Sequence, residues 1–237
     1  MFMHKSKADY TFNYYHPTEE VETVEHKKRE FNPYVDNQGS VMAIAGKNFV
    51  IAAGDKRLSN GFSILSRDSS KLCKLTDNVI LASCGMYADV MALQKYLKAR
   101  IEIYRSSNKQ EPSLSCLAQL LSVTLYQRRF FPYFAFNILC GKDDDGKFTC
   151  YGYDAVGSYE AFPYGAQGSG SKLITPVLDR VIGEKSDNLT EESAKKLVLE
   201  TMNGTSCRDI YTGDKVELFI LREGGEMITE EYPLRND

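Results

Sequence analysis

Short apolar runs separated by turn residues dominate the chain from residue 41 onward. Residues 41–45 and 49–53 are almost wholly apolar, and Gly46, Lys47 and Asn48 lie between them. Short apolar runs bounded by turn residues are typical of buried strands. The pattern therefore predicts a hairpin of two buried strands. The same reasoning predicts three more short strands, at residues 62–65, 71–75 and 79–83.

A helical period then replaces the short runs. Apolar residues recur at offsets of three and four after Asp89, a residue type that favours a helix N-cap. These apolar residues are Val90, Leu93, Leu97, Ile101 and Tyr104. A second helix is predicted to begin at Ser113 and to end at Pro132. Its apolar stripe consists of Leu114, Leu117, Leu121 and Leu125.

The second half of the chain repeats this order. Residues 134–140 and 148–153 predict a strand pair, joined by a turn in which Gly146 supplies a positive φ. The glycine-rich residues 165–171 lead into a helix that continues through Val181. Thr190 is predicted to cap a fourth helix that runs to residues 203–204. Finally, residues 216–221 and 227–231 predict a hairpin.

The predicted order is strands, two helices, strands, two helices, strands. Runs of like elements favour α+β layering over a doubly wound parallel sheet. The predicted fold class is therefore α+β, a four-layer αββα sandwich in which two sheets are covered by two helical layers. A chain of 237 residues with 43% hydrophobic residues is long enough to bury roughly 70% of the surface that its unfolded form exposes.

Charge and histidine placement exclude several classes of function. The net charge is −3, and the basic block at residues 26–29 is interpreted as a solvated tail face, so nucleic-acid binding is not indicated. The histidines, His4, His16 and His26, all precede residue 30. A Ser-His-Asp or Cys-His mechanism, or a metal site built on imidazole, would need one of these tail residues. If this fold cut peptides, an N-terminal amine would be the known substitute base.

The cysteines and the apolar segments indicate a soluble intracellular protein. The six cysteines, at 73, 84, 116, 140, 150 and 207, form no C-x-x-C pair, and several lie in apolar runs. Such residues are typical of buried free thiols in a reducing compartment. The N-terminus lacks the apolar core of a signal peptide, and no run approaches the roughly 18 apolar residues of a membrane span. We therefore expect no membrane partner.

The first 35 or so residues are aromatic and charged, without periodicity. Two interpretations remain open. The segment is either a flexible tail or an arm whose aromatic side chains dock on a neighbouring subunit. The aromatic residues are Tyr10, Phe12, Tyr14, Tyr15, Phe31 and Tyr34.

Residues 39–57 resemble the opening strand pair of the proteasome beta subunits. In the catalytic members of that family, the first residue after self-cleavage is a threonine that acts as nucleophile. Counting back from Asp55 along an ungapped match, this place falls on Gly39, which has no side chain to attack a carbonyl. The resemblance implies an N-terminal nucleophile hydrolase fold that lacks its nucleophile. Residues 1–38 would be an N-terminal extension or propeptide-like arm, and residues 39–237 the proteasome beta-type domain.

Further motifs of the family follow in order. Asp55 with Arg57 closes the first hairpin, and Lys71 follows at the family's spacing for the lysine that tunes the nucleophile. Residues 84–89 match the loop whose glycine amide, here that of Gly85, forms the oxyanion hole. Without a nucleophile we expect Lys71 to form a structural ion pair with Asp55, because removing one member of a buried pair leaves a costly unpaired charge.

The two remaining supports of the family's active site match residues 168–171 and 208–214. The first segment contains Ser169, and the second contains Asp209 and Thr212. We interpret Asp209 and Thr212 as a turn network that holds the last helix to the last hairpin. We interpret Ser169 as a cap at a helix start rather than a proton relay.

Three short sequence segments narrow the resemblance to one non-catalytic type of subunit, which occupies the sixth position of the beta ring. They are residues 31–34, 128–133 and 154–159. The departures are a shorter connection at residues 184–189, and Gln38-Gly39-Ser40 where relatives often have two glycines and a threonine.

The resemblance implies a structural role in ATP- and ubiquitin-dependent protein degradation. The chain would fill one place in a seven-membered beta ring and would help to shape neighbouring active sites. Its partners would be other beta subunits, laterally and across the two beta rings, and alpha-ring subunits, in the cytoplasm and nucleus. No cofactor and no metal are implied.

Two alternatives remain. In the first, cleavage after Gly39 leaves Ser40 with a free amine, and Ser40 acts as the nucleophile. Successive strand side chains point to opposite faces, so this displacement by one residue should turn the hydroxyl away from Asp55 and Lys71, unless a β-bulge restores its direction. In the second alternative, the chain is a free-standing binding module.

Overall fold

The structure is a computed structural model that describes residues 32–183 and 189–235. One compact unit spans Tyr34–Asp237, so it includes the residues directly before Gly39. The three histidines, the basic block and most of the aromatic arm lie outside the described residues. So does most of the connection at residues 184–189.

The elements alternate between groups of strands and pairs of helices, as the sequence predicts. The first half comprises β1 (Ser40–Ala45), β2 (Phe49–Asp55), β3 (Leu58–Asn60), β4 (Ser63–Ser66), β5 (Leu72–Thr76), β6 (Val79–Gly85), α1 (Tyr87–Asn108) and α2 (Leu114–Tyr126). The second half comprises β7 (Ala135–Lys142), β8 (Phe148–Tyr153), β9 (Tyr159–Phe162), β10 (Tyr164–Gly168), α3 (Ser171–Ile182), α4 (Glu191–Ser206), β11 (Lys215–Arg222) and β12 (Met227–Pro233).

The strands form two five-stranded sheets and one small hairpin. The first sheet has the order β10-β1-β2-β11-β12, and the second has the order β5-β6-β7-β8-β9. All neighbouring strands in both sheets are antiparallel. Strands β3 and β4 pair with each other outside the two sheets. The first sheet brings the start of β1 beside the end of β10, where Ser40 is opposite Gly168.

Three apolar layers separate four layers of structure. In β1, Met42 and Ile44 pack with α3 and α4, whereas Val41 and Ala43 pack against the second sheet. The helices α1 and α2 cover the outer face of the second sheet. Because β1 and β2 are buried on both faces, their sequences are continuously apolar rather than alternating. The predicted α+β four-layer sandwich is confirmed.

The caps of α2 and α4 are confirmed. Ser113 accepts a hydrogen bond from the amide of Cys116 at 3.1 Å, and Thr190 accepts one from Ser193 at 3.3 Å. The prediction for Asp89 is wrong: the N-cap of α1 is Met86, three residues earlier, and the Asp89 carboxylate accepts from the amide of Phe134 at 2.8 Å. This contact across the fold outcompetes a local cap.

The end of α2 also differs from the prediction. The helix ends at Tyr126 instead of Pro132, and the next residues form tight turns in which Arg128 donates to Leu125 and Phe131 donates to Arg128. Three short strands, β3, β9 and β10, were not predicted. They contain polar, tyrosine and glycine residues and are largely half-buried or exposed, so they lack the apolar run that marks the other strands.

The cysteines have the burial that their apolar surroundings predict. All six are free thiols, and those at 73, 84, 140 and 150 are buried. Within the described part of the chain, no helix combines the length and apolar character needed to cross a bilayer.

Candidate functional site

Gly39 lies at the junction between the preceding segment and β1, in a backbone conformation that favours glycine. Its φ is +88°, and that of Gln38 is +55°. A Cβ added at Gly39 would lie 2.3 Å from Cε and 2.6 Å from Nζ of Lys71. The space that a nucleophilic side chain would need is therefore filled by the lysine side chain.

Lys71 reaches this place from the loop before β5 and is 6% exposed. Its ammonium donates to the backbone carbonyls of Asp55 at 2.9 Å and Arg57 at 2.6 Å. It also lies 3.1 Å from Oδ1 of Asp55, which is the expected ion pair. An ammonium carries three N–H donors, and each has a partner within the chain. The geometry is that of a structural tie between β2 and β5.

Asp55 is fully buried at the end of β2 and gathers donors from several segments. Its carboxylate accepts from the amide of Ser40 at 2.7 Å, Arg57 at 3.0 Å and Gly213 at 3.4 Å. Burial raises the pKa of Asp55 above its ordinary value, while the Lys71 cation and the amides of Ser40 and Arg57 act in the opposite direction. The carboxylate thus binds β1 and the 208–214 segment to β2.

The Ser40 hydroxyl points into a separate chain of hydrogen bonds. It lies 2.7 Å from Oγ1 of Thr212 and accepts from the amide of Gly170 at 2.9 Å. Thr212 donates its single proton to Oδ2 of Asp209 at 2.6 Å, so it must accept from Ser40. The Ser40 hydroxyl is buried and its proton is committed to Thr212. As the strand register predicts, it does not face Lys71.

Asp209 completes the turn network that the sequence predicts. Besides Thr212, it accepts from the Ser169 hydroxyl at 2.6 Å and from the amide of Tyr211 at 3.2 Å. The interpretation of Ser169 as a helix cap is wrong, because the N-cap of α3 is Gly170 and has no side-chain bond. Ser169 instead links Asp209 to Gly39, whose carbonyl accepts from the Ser169 amide at 3.0 Å.

Gly85 ends β6 with φ at +114°, and a Cβ there would lie 2.5 Å from the carbonyl oxygen of Phe134. The Gly85 carbonyl accepts from the amide of Asn37 at 3.2 Å. An open cleft of about 350 Å³ lies beside this loop and is lined in part by Gln38, Phe136 and Ser169. The structure thus brings all the predicted site residues, Gly39, Asp55, Lys71, Gly85, Ser169, Asp209 and Thr212, around the start of β1.

Two sets of contacts near this site were not predicted, the pairing of Arg57 with Asp214 and the hydrogen bonds of Asn37. Arg57 donates to Oδ2 of Asp214 at 2.8 Å; burial acts to raise the pKa of Asp214, but Arg57 and Arg67 hold it below its ordinary value. Asn37 is buried and bonded through its backbone and side chain. No sequence pattern marks Asn37, because its partners lie far away along the chain.

The hydroxyl and thiol groups near Gly39 are held within the fold. The Ser40, Ser169 and Thr212 hydroxyls all donate within the network. The Cys84 thiol is buried, and burial raises its pKa to about 12, so it stays protonated at neutral pH. No three His, Cys, Asp or Glu side chains group as a metal site in residues 32–183 and 189–235.

Comparison with known proteins gives one consistent similarity. The family model described as proteasome subunit matches residues 35–221. The proteasome subunit beta type-1 of Arabidopsis thaliana is 49% identical over 217 residues, which cover 87% of this chain and 97% of that protein. The protein of the same name from Danio rerio is 44% identical over 221 residues, covering 90% and 91%. The one from Oryza sativa subsp. japonica is 45% identical over 214 residues, covering 86% and 96%.

Proposed function

The chain belongs to the proteasome subunit family, and from this premise we propose that it is a non-catalytic beta subunit of the 20S core particle. Its role is to complete the beta ring of an assembly that degrades ubiquitin-tagged proteins in the cytoplasm and nucleus. The observation that carries the proposal is the filled space at Gly39, where Lys71 lies on the position of the missing side chain.

The retained residues support this role as structural ties. Asp55 binds β1 and the 208–214 segment to β2, and Lys71 bridges β2 and β5. The hydrogen bonds that run from Ser40 through Thr212 to Asp209 join β1 to the turn before β11. Each of these contacts connects two elements of the fold.

The outer surface supports assembly with other subunits. Phe62 on the β3–β4 hairpin is 96% exposed, and Phe130 in the turn after α2 is 94% exposed. Large aromatic side chains are enriched at the energetic centres of protein interfaces. We propose that these residues contact lateral beta neighbours, an alpha-ring subunit or the opposite beta ring.

The Arg128–Phe131 turn indicates what kind of surface it meets. Arg128 lies over the ring of Tyr133 at 5.0 Å, and Arg129 over that of Phe130 at 5.4 Å. Within the described ranges, no acidic residue forms an ion pair with either arginine. The complementary partner is another proteasome subunit that presents carboxylates around an apolar pocket.

Covalent labelling of the purified particle tests the absence of catalysis. Epoxyketones need a hydroxyl and a free amine on the same N-terminal residue, and Gly39 has no hydroxyl. They should label the catalytic neighbours, which serve as internal controls, and leave this chain unmodified by intact mass. A stoichiometric adduct on Ser40 would overturn the non-catalytic role. Recovery of the chain mainly as a free monomer in native mass measurements would overturn the structural role.

A further inference from the structure

Two of the six cysteines lie directly opposite each other in the second sheet. Cys140 on β7 pairs with Cys150 on β8 in an unbroken antiparallel register. Both side chains belong to the apolar layer between the two sheets, and neither residue is exposed to solvent. Burial raises the pKa of Cys150, and a hydrogen bond to Cys140 and the charge of Cys140 act in the same direction. The two thiols are therefore in direct contact.

The backbone hydrogen bonds at the end of the β7–β8 hairpin show which kind of pair this is. The amide of Asp143 donates to the carbonyl of Lys147 at 2.8 Å, so these two residues form a hydrogen-bonded pair. Hydrogen-bonded and non-hydrogen-bonded pairs alternate along antiparallel strands, and the cysteine pair lies three pairs further along the register. It is thus a non-hydrogen-bonded pair, in which the Cα atoms are only about 4.5 Å apart. Disulfides form across Cα separations of about 4.4–6.8 Å.

The other four cysteines, all within the described residues, occupy different places in the fold. Cys84 shares the layer between the sheets, but it lies opposite Phe136, four residues before Cys140 on β7. At about 3.4 Å per residue this separation is about 13 Å, which is beyond the reach of a disulfide. Cys73 packs on the other face of the sheet with α1 and α2, and the remaining two lie on α2 and after α4. Among these thiols, only Cys140 is positioned to bond with Cys150.

An open groove borders the covered thiols. It has a volume of about 620 Å³ and lies between the turn after β1, the start of β8 and the end of β9. Its lining includes Phe148 and Phe162, which belong to the same apolar layer as the thiols. Phe162 is directly opposite Cys150 in the pairing of β8 with β9. Because β9 is an edge strand, a local displacement of Phe162 would connect the groove to Cys150.

We propose that Cys140 and Cys150 form a redox-sensitive site, at which hydrogen peroxide entering beside Phe162 converts the thiol pair into a cross-strand disulfide. The Cys150 thiolate attacks a peroxide oxygen, the O–O bond breaks, and the leaving hydroxide takes up the thiol proton to give water. The Cys140 thiolate then attacks the sulfenic sulfur, so that the S–S bond forms, the S–O bond breaks and a second water leaves. In total the two thiols lose two electrons, and the peroxide is reduced to two waters.

The pairing makes this oxidation reversible. A disulfide is returned to two thiols by exchange with a reducing thiol, whereas a lone cysteine that is oxidised further to the sulfinic or sulfonic acid is not. Disulfides of proteins in reducing compartments are usually transient and redox-sensing. The inference goes beyond the proposed function and does not depend on it, since Gly39 takes no part in this chemistry.

Peptide mass spectrometry of the purified particle after peroxide treatment tests the site. Free thiols are blocked with N-ethylmaleimide in denaturant, and trypsin, which cuts after Lys142 and Lys147, places the two cysteines on separate peptides. The expected product is a linked pair of these peptides, lighter by two hydrogens than their sum, which dithiothreitol separates. It should form more slowly than Cys207 is oxidised, because Cys207 is exposed. Absence of the linked pair from assembled particle in which Cys207 is fully oxidised would overturn the proposal.

Single-cysteine variants test whether the partner thiol resolves the first oxidation. In Cys140→Ala, Cys150 should gain two or three oxygen atoms instead of forming a link. Cys84→Ala, a matched change in the same layer, should leave the yield of the linked peptides unchanged. Linkage of Cys140 to Cys84 in Cys150→Ala, at the yield of the unaltered protein, would overturn the pairing. If these variants do not assemble, the unaltered particle still decides whether the disulfide forms.

The route through the groove has its own test. Phe162→Ala should accelerate formation of the linked peptides several-fold, whereas Glu160→Ala, an exposed change in the same strand, should not. Oxidation of Cys84 in the same samples reports any general loosening of the fold, because Cys84 is buried in the same layer. An unchanged rate of linkage in Phe162→Ala, or an equal acceleration at Cys84, would overturn entry beside Phe162.

Discussion

Side chains are treated differently in two regions of the molecule. These regions are the buried surroundings of Gly39 and the exposed turn around Phe130. Around Gly39, the charges and hydroxyls of Asp55, Lys71 and Ser40 find partners within the same chain. Around Phe130, two arginines and an almost fully exposed aromatic ring extend into solvent. The first region is closed and the second is exposed to solvent, so substitutions in the two regions should have different effects.

The largest loss of stability is expected from a substitution in the buried surroundings of Gly39. Asp55→Ala should lower the free energy of unfolding by about 3–5 kcal/mol, because it leaves the Lys71 cation and three amides buried without their acceptor. Denaturant unfolding of the purified subunit measures this. Asp55→Asn is the matched control and should be less harmful, since an amide oxygen still accepts from Ser40. A loss below about 1 kcal/mol for Asp55→Ala would contradict the assignment of Asp55 as a structural centre.

A smaller loss of stability is expected when the hydrogen bonds of the Ser40 hydroxyl are removed. Ser40→Ala should cost about 1–3 kcal/mol, because it leaves the buried amide of Gly170 without an acceptor. The control is Ser63→Ala on the exposed β3–β4 hairpin, which should change the free energy of unfolding by less than about 0.5 kcal/mol. Equal effects of the two substitutions would show that the network around Ser40 contributes nothing to folding.

The exposed region should respond with assembly rather than stability. Replacing Phe130 and Phe131 by alanine should lower subunit stability by no more than about 1.5 kcal/mol, the contribution of one aromatic pair with Tyr34, yet strongly reduce incorporation into the particle. Phe148→Ala is the buried counterpart and should cost about 3–5 kcal/mol. Normal incorporation of the Phe130 and Phe131 variant, measured by native mass, would remove this turn from the proposed interface.

Some features of the surroundings of Gly39 could be predicted from the sequence, and others could not. The β1–β2 hairpin follows from local apolar runs, and the Asp55–Lys71 pair follows from the resemblance to the proteasome beta subunits. The hydrogen bond between Asn37 and Tyr87 and the binding of Asp89 to Phe134 depend on partners 50 and 45 residues away. Such contacts are set by the packed fold, so neither residue type nor local period reveals them.

Strand β10 was missed for a related reason. A Cβ at Gly165 would lie 2.6 Å from the ring of Phe162, so the glycines that weaken the strand pattern are needed for close packing. Ser169 lies one residue before Gly170, the N-cap of α3, so its hydroxyl does not cap the helix and donates instead to the Asp209 carboxylate, which the fold brings within 2.6 Å.

The smallest expected effect is a gain of activity from restoring the nucleophile. Gly39→Thr should yield little or no self-cleavage, although Asp55, Lys71 and Ser169 remain. A threonine Cβ would lie 2.3 Å from Cε of Lys71, and a β-branched residue at φ of +88° is strained. The lysine would have to leave its two carbonyl partners before the hydroxyl could fit. Intact mass reports cleavage after residue 38, and an epoxyketone adduct on this chain reports a working nucleophile.

The double variant Gln38→Gly with Gly39→Thr tests whether the backbone before residue 39 limits self-cleavage. Gln38 has φ at +55°, a conformation that glycine adopts without strain, so the double change relaxes residue 38 and leaves the φ of +88° at residue 39 and the crowding by Lys71. Productive chemistry needs the reacting groups within about 0.5 Å of working geometry, and we therefore expect the double variant to remain far below the catalytic neighbours. If Gly39→Thr alone is cleaved and labelled as fully as they are, the closed region was still preorganised for catalysis. The roles of Lys71 and Ser169 as structural ties would then be wrong.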